Sequence, residues 1–187
     1  MREFVVYSRT GYTTPDFRCL REGGRLDLVY QSILMALFKS HGIRRDTVFR
    51  AFLNGPKIPP LELTVDGASL RDARTDEDTW QHIIFDALSG HQHPGISIRK
   101  NSIQNFARDR GNIYVLEEGG ESIRTVELGD SPCFVLGDQV GMPKKDESFV
   151  MRKGTKVSLG GTRYMTAQCI NIINYTLDLR QAVVPEG

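Results

Sequence analysis

The sequence is short of the residues that announce several kinds of chemistry. Three cysteines, Cys19, Cys133 and Cys169, are spread over 187 residues with no C-x-x-C pair. Neither a disulfide framework nor a zinc ribbon is expected, and all three read as small buried hydrophobes. Among the four histidines only His91 and His93 stand close together, beside Pro94 and without a third ligand at suitable spacing, so no metal is expected. No G-x-G-x-x-G follows a strand and no G-x-x-x-x-G-K-[ST] occurs, which disfavours a nucleotide held by its phosphates. A G-x-S-x-G elbow is missing too, and covalent hydrolase chemistry has no foothold. No apolar run approaches the roughly 20 residues that span a bilayer. The opening "MREFVVYSRT" has too short an apolar run, and no small-residue cleavage site, to be a signal peptide. A cytoplasmic protein without a membrane partner is expected.

What is present fits one soluble α/β domain over residues 1–187. Hydrophobic residues make up 40% and charged residues 25%, the balance of a globular chain. Net charge is only +1, but the charges are segregated. Arg44, Arg45 and Arg50 cluster, as do Arg99, Lys100, Arg108 and Arg110, and again Lys144, Lys145, Arg152, Lys153 and Lys156, whereas acids gather in "RDARTDEDTW". Such segregation permits a basic face on a nearly neutral molecule, although ordinary solvated surface charge accounts for it equally well.

Periodicity places the elements. "REFVVYS" reads as a buried strand, and residues 9–24 as loop. Leu26, Val29, Tyr30, Ile33, Leu34, Leu37 and Phe38 recur at helical spacing, with Lys39 and His41 in the last turn and Gly42 as the C-cap. "DTVFRAFL" and "LELTVDG" are strands around a proline-rich turn. "TDEDTWQHIIFDALSG" is a helix capped by Thr75 or Asp76, with Trp80, Ile83, Ile84, Ala87 and Leu88 as its stripe. "GISIRK" suits a strand and "SIQNFARDRG" a short helix. "NIYVLEEGGESIRTVEL" carries a hairpin signal around Gly119–Gly120. "CFVLGDQVGMPKKDESF" runs four apolar residues into a loop rich in backbone, and "TKVSLGG" is a last strand stopped by glycines. "TRYMTAQCINIINYTLDLRQ" is a long helix with Met165, Cys169, Ile172, Ile173 and Leu177 as its stripe.

Alternating strands and helices imply a largely parallel sheet, with ligands beyond the carboxyl ends of its strands. Three strands there, ending at Leu116, Leu136 and Leu159, run into glycine-containing segments. Glycine lets peptide groups approach a ligand with no Cβ between them, so three such exits can form a backbone-lined slot suited to adenine. Plain turn chemistry explains the glycines as well. Arg25 and Asp27 stand at the head of an apolar helix. The acid gains from the helix dipole as a capping residue. Alternatively Arg25 grips a phosphate or base while Asp27 accepts a proton or hydrogen bond from a substrate N–H.

"MREFVVYS", "GRLDLVYQSILMALFKSHGIRRDTVFRAFLNGPKIPP", "NIYVLEEGGE", "FVLGDQVGMPKKDE" and "KVSLGGTRYMTAQCINIINYTLD" together resemble the tRNA pseudouridine N1-methyltransferase family of the SPOUT superfamily, in order and over nearly the whole chain. The resemblance implies a SPOUT-type α/β fold, with a mostly parallel sheet flanked by helices and a deep trefoil knot formed by about residues 112–187. It implies S-adenosylmethionine as cofactor, contacted by Leu116, Gly137, Val157, Ser158, Leu159, Gly160, Gly161, Thr162 and Cys169. Gly160, Gly161 and Thr162 stand where relatives carry a serine-proline-leucine type loop. It further implies a homodimer and an RNA partner, most simply tRNA, with Arg44, Arg45, Arg50, Arg99 and Lys100 on RNA phosphates. Arg25-Leu26-Asp27 is similar to the Arg-Pro-Asp of ribosomal pseudouridine methyltransferases, so Asp27 would polarise the substrate N–H and Arg25 orient the base. Ribosomal RNA as the target, or a non-catalytic RNA-binding shell, are the alternatives.

Overall fold

The computed structural model describes residues 1–182. Residues 183–187, which close both the expected single domain and the expected knot region, lie outside the described residues. β1 (Arg2–Ser8) is buried along its whole length, as befits a strand with parallel neighbours on both sides and helices on both faces. Those neighbours are β4 (Thr47–Leu53) and β8 (Cys133–Gly137). β7 (Ile113–Ser122) follows beyond β8, and β9 (Thr155–Ser158) forms the edge, all parallel. On the other side β5 (Leu61–Asp66) and β6 (Ile96–Lys100) extend the sheet by antiparallel pairing. The order is β6-β5-β4-β1-β8-β7-β9. The expected mixed α/β fold with a mostly parallel sheet is therefore found.

Side chains alternate between two faces along each strand. Phe4 and Val6 of β1 join a core with α1 (Leu26–Leu37), α2 (Glu77–Leu88) and α5 (Thr166–Ala182). Val5 and Tyr7 join a second core with α3 (Ile103–Arg108) and α4 (Lys144–Lys153). Local chemistry sets the helix ends. Asp76 accepts a hydrogen bond from Thr79 N at 2.8 Å and opens α2, and Ser102 does the same for Asn105 N in α3 at 3.2 Å.

Four local expectations are corrected. α1 stops at Leu37, and Gly42 is not its cap: Phe38 turns extended and packs edge-on against Trp80 at 6.2 Å, and Phe38–Lys39 (β2) pairs with Gly42–Ile43 (β3). Gly119–Gly120 is not a hairpin tip. β7 continues to Ser122, leaves β9 after Leu116 and rejoins it at Glu121. A Cβ on Gly120 would stand 2.5 Å from Val157 N, so that glycine permits close contact between neighbouring backbones. The backbone-rich loop after β8 is shorter than the sequence suggests, because α4 begins at Lys144 with Asp146 and Glu147 in its first turn and Arg152 and Lys153 in its last. Finally, Met165 is 61% exposed, and the buried stripe of α5 is Cys169, Ile170, Ile173, Asn174 and Leu177.

One charged seam lies on the α3 side. Glu62 is fully buried and accepts hydrogen bonds from Arg50 at 2.6 Å, Arg99 at 2.5 Å and Asn101 at 2.7 Å. Burial opposes its ionisation, but the bonds from Arg99, Asn101 and Arg50 outweigh that and hold the carboxyl below the usual glutamate range. Buried Glu3 pairs with both Arg50 and Arg110. Arg110 also lies over the Phe106 ring at 4.5 Å.

Candidate active site

The carboxyl ends of β1, β7, β8 and β9 all point to one end of the sheet, and a cavity of about 890 Å³ opens there between the entries to α1 and α5. Its walls include Leu116 and Glu117 from β7, Leu136 and Gly137 from β8, and Ser158, Leu159 and Gly160 at the end of β9. Cys169 of α5 completes one side. The three glycine-bearing exits picked out in the sequence thus meet at one cavity.

Hydrogen bonds hold these exits together. Thr166 Oγ1 donates to Gly137 O at 2.8 Å, fastening the entry of α5 to the end of β8. Ser158 Oγ donates to Glu118 O at 3.1 Å and accepts from Gly160 N at 3.1 Å, joining β9 to the excursion of β7. Arg163 and Glu118 pair at 2.6 Å across the same seam. Asp138 ties the β8 exit to β1. One carboxylate oxygen accepts from Val140 N at 2.9 Å and Gly141 N at 3.1 Å, and the other from Arg9 N at 2.7 Å. Gly160 has φ +109°, and a Cβ there would meet no atom within 4 Å. Its backbone faces open space, the condition for a ligand to lie against peptide groups.

The entry of α1 supplies the charged pair. Gly24 has φ +69°, and a Cβ on it would fall 1.8 Å from Thr10 O, so only glycine fits this turn. Arg25 follows in the same left-handed region and caps α1 without a side-chain capping bond. Its guanidinium grips Asp27 with two parallel bonds, Nε to Oδ1 and Nη2 to Oδ2, each 3.0 Å. Arg25 lines the cavity and is partly exposed, while Asp27 sits just behind it, less exposed.

Seven of the nine residues expected to contact a cofactor line this cavity: Leu116, Gly137, Ser158, Leu159, Gly160, Thr162 and Cys169. Val157 is fully buried in the core beneath it, and Gly161 is exposed outside its wall. Cys169 is a packed thiol. Burial pushes its pKa up, and its Sγ lies 3.7 Å from Tyr164 O, which makes it a wall residue and no nucleophile.

The residues expected to hold RNA do not come together. Arg44 pairs with Asp178 at 2.5 Å, and Arg45 donates to the carbonyls of Gly67 and Leu70 at 2.9 Å. Both precede β4, at the end of the sheet opposite the cavity. Arg50 and Arg99 are committed to Glu62, and Lys100 Nζ donates to Ile58 O and Pro59 O at 2.6 Å. Taking Arg50 to a phosphate would cost buried Glu3 and Glu62 one partner each, leaving Glu3 with Arg110 and Glu62 with Arg99 and Asn101.

Two acids of the wall were not anticipated. Asp138 sat in view between two glycines, and its role as a strut across β1 and β8 follows only from three-dimensional proximity. Glu117 lines the cavity, half-buried, without an ion-pair partner among the described residues. Among the described residues no group of three or more His, Cys, Asp or Glu is placed to hold a metal ion. No helix among them is long and apolar enough to cross a membrane.

Comparison with known proteins adds two kinds of likeness. The family model described as "Putative SAM-dependent RNA methyltransferase" matches residues 1–182. The tRNA (pseudouridine(54)-N(1))-methyltransferase of Methanocella arvoryzae is 35% identical over 192 residues, covering 96% of this chain and 100% of the relative. The protein of the same name from Methanopyrus kandleri is 35% identical over 191 residues, covering 97% and 94%. Among solved structures, Archaeoglobus fulgidus Nep1 bound to S-adenosylhomocysteine superposes with a TM-score of 0.72 at 12% identity, covering 97% of this chain and 99% of that one. At that identity the likeness is one of fold.

Proposed function

This chain belongs to that family of S-adenosylmethionine-dependent RNA methyltransferases, and from that premise we propose that it methylates N1 of pseudouridine in tRNA. The observation that carries the proposal is the cavity where β7, β8 and β9 meet, with Arg25 on its wall and Asp27 bound to Arg25. Full-length likeness to the archaeal enzymes supports the choice of base and of RNA.

The wall suits the cofactor. Leucine side chains offer apolar faces, the open backbone at Gly160 can answer the edge of a purine, and Glu117 and Asp138 give a negative surround for a cationic donor. When bound, S-adenosylmethionine supplies an electrophilic sulfonium methyl. The protein has two tasks: aligning the acceptor and making it nucleophilic. N1 of pseudouridine carries a proton and attacks poorly until that proton is shared or removed. Asp27 is the carboxylate stationed for this, as hydrogen-bond acceptor or base. Arg25 fixes the rotamer of Asp27 through its two bonds and faces the cavity, where it can orient the base or an adjacent phosphate.

We further propose a homodimer. α5 carries exposed Tyr175 and Leu179, and Met35 of the adjoining α1 is also exposed, apolar surface of the kind a second copy covers. The fold likeness to Nep1 supports the SPOUT assignment, and with it a knotted C-terminal third in a cytoplasmic enzyme.

The test is nucleoside mass spectrometry of tRNA from cells lacking the gene, paired with transfer by the purified protein. The expected result is loss of 1-methylpseudouridine from tRNA alone, and its restoration by wild type but not by Asp27→Asn. Loss from ribosomal RNA instead would refute the substrate. Normal transfer by Asp27→Asn would refute the role of Asp27.

A further inference from the structure

The free charges around the cavity are unevenly placed. On the side of β7 and the β9 exit the cavity is lined by Glu117, Glu118 and Arg163, and the last two neutralise each other at 2.6 Å. Outside the cavity lining, on the segments that leave β1 and β8 and that lead into α1, stand Arg9, Arg21, Lys144 and Lys145. All four are exposed, and none takes part in an ion pair among the described residues. Glu22, Asp138, Asp146 and Glu147 are acidic neighbours without an ion pair among the described residues, Asp138 being held by backbone N–H groups and Asp146 by Tyr7 and Gln104, whereas Asp16 is held by Lys57 at 2.9 Å and Asp27 by Arg25.

These four cations belong to one continuous stretch of surface. Arg9 N reaches Asp138, in the turn that leads into Lys144 and Lys145. Next to Arg9, Thr10 Oγ1 donates to Gly24 O at 2.8 Å, and Arg25 N donates to Arg21 O at 3.2 Å. The segments that carry this ridge of cations are therefore linked from the start of α4 to the start of α1, and Arg25, at the end of that path, lines the cavity.

We propose that this ridge is the phosphate grip for the substrate RNA. The proposal rests on the RNA methyltransferase function above and names the surface through which it acts. A base must leave its stack to enter the cavity, and the phosphates flanking an extruded nucleotide then lie along the rim, not inside the cavity. Free lysine and arginine side chains at that place can neutralise phosphates without stranding a buried carboxylate. Arg44, Arg50 and Arg99 are less available, because each would first leave an ion pair, with Asp178, Glu3 or Glu62. The acidic side of β7 and the β9 exit repels the backbone and leaves the ridge as the favoured approach.

Fluorescence anisotropy with a labelled, pseudouridine-containing tRNA transcript tests this over a series of KCl concentrations. Each phosphate neutralised contributes about 0.7–0.9 to the slope of log K against log salt. The Lys144→Gln/Lys145→Gln double variant is expected to flatten that slope by about 1.4–1.8 and to weaken binding about tenfold at moderate salt. Arg9→Gln should flatten it by about 0.7–0.9, and it serves as the independent variant should the double change disturb α4. Lys39→Gln, at the far end of α1, should leave the slope unchanged. S-adenosylmethionine affinity by calorimetry should match wild type in all three. A wild-type slope in both ridge variants, or equal flattening by Lys39→Gln, overturns the ridge alone. A wild-type protein that binds S-adenosylmethionine but shows no salt-dependent affinity for any tRNA overturns the RNA substrate class, and the ridge with it.

Discussion

Asp138 offers the sharpest test of how the cavity is built. Its carboxylate answers three backbone N–H groups, two in its own turn and one on the exit of β1. In Asp138→Asn the amide carbonyl can keep either the Val140 and Gly141 bonds or the Arg9 bond, because the other position becomes an NH₂ donor facing a donor. At least one N–H thus loses its partner. A hydrogen bond to a charged group contributes about 1.5–3 kcal/mol where water is excluded, and the partial exposure here reduces that to ~1 kcal/mol. Asp138→Ala removes all three bonds and should cost ~2 kcal/mol, since solvent can reach the freed groups. Part of that loss falls on the wall itself. The turn lines the cavity, so a ligand would have to reorder it on binding. S-adenosylmethionine affinity by calorimetry should fall about fivefold in Asp138→Asn and ten- to thirtyfold in Asp138→Ala. The melting temperature should drop by about 2–4 °C and 4–8 °C. A graded fall in both is the expected outcome. If Asp138→Ala melts lower yet binds the cofactor as wild type does, the strut supports the fold and not the site, and the preorganised wall is refuted.

Three further outcomes follow from particular contacts. Glu62→Ala should destabilise the protein by ~3 kcal/mol in urea unfolding, because Arg50 keeps only Glu3 and the Thr64 hydroxyl while partly exposed Arg99 can turn to water. The folded carboxyl titrates below its unfolded value. Its stabilisation is therefore complete above about pH 4.3 and is lost as pH falls through the lower folded value, and Glu62→Gln should flatten that acid limb. Gly24→Ala forces a left-handed alanine, costing about 1–2 kcal/mol, onto a backbone whose Cβ position is 1.8 Å from Thr10 O; methyl transfer should fall further than cofactor affinity, and the reverse order would refute a role for this turn in setting Arg25. Glu117→Gln should weaken S-adenosylmethionine about fivefold (~1 kcal/mol, for a half-exposed charge) and affect S-adenosylhomocysteine less, since the product lacks the sulfonium charge; equal losses in calorimetry would refute an electrostatic role.

Much of this architecture was legible in the residues. Apolar and β-branched runs marked β1 and β4, alternation marked β5, and of the two caps expected for α2 it is Asp76 that opens the helix. The three exits at Leu116, Leu136 and Leu159 were visible as apolar runs meeting glycine, and they do converge. The misses share a cause. Gly119–Gly120 looked like a hairpin because local sequence cannot distinguish a turn from a place where two backbones touch; only Val157, far along the chain, decides that. The loop after β8 seemed long because its glycines drew the eye from Pro143, the acids of the first turn and the bases of the last, which together open and close α4. Arg44, Arg45 and Arg50 looked free to meet RNA because their partners, Asp178, the carbonyls of Gly67 and Leu70, and Glu62, come from other elements.

The walls of the cavity come from positions as far apart as Arg25 and Cys169. During synthesis no donor pocket can exist until the last helix has emerged and docked, so an incomplete chain cannot consume cofactor. Occupancy then acts as a clasp across the whole domain: at a donor concentration one hundred times Kd, global unfolding becomes about 2.7 kcal/mol harder. Cellular donor supply would thereby influence how long each molecule survives proteolysis as well as how fast it works.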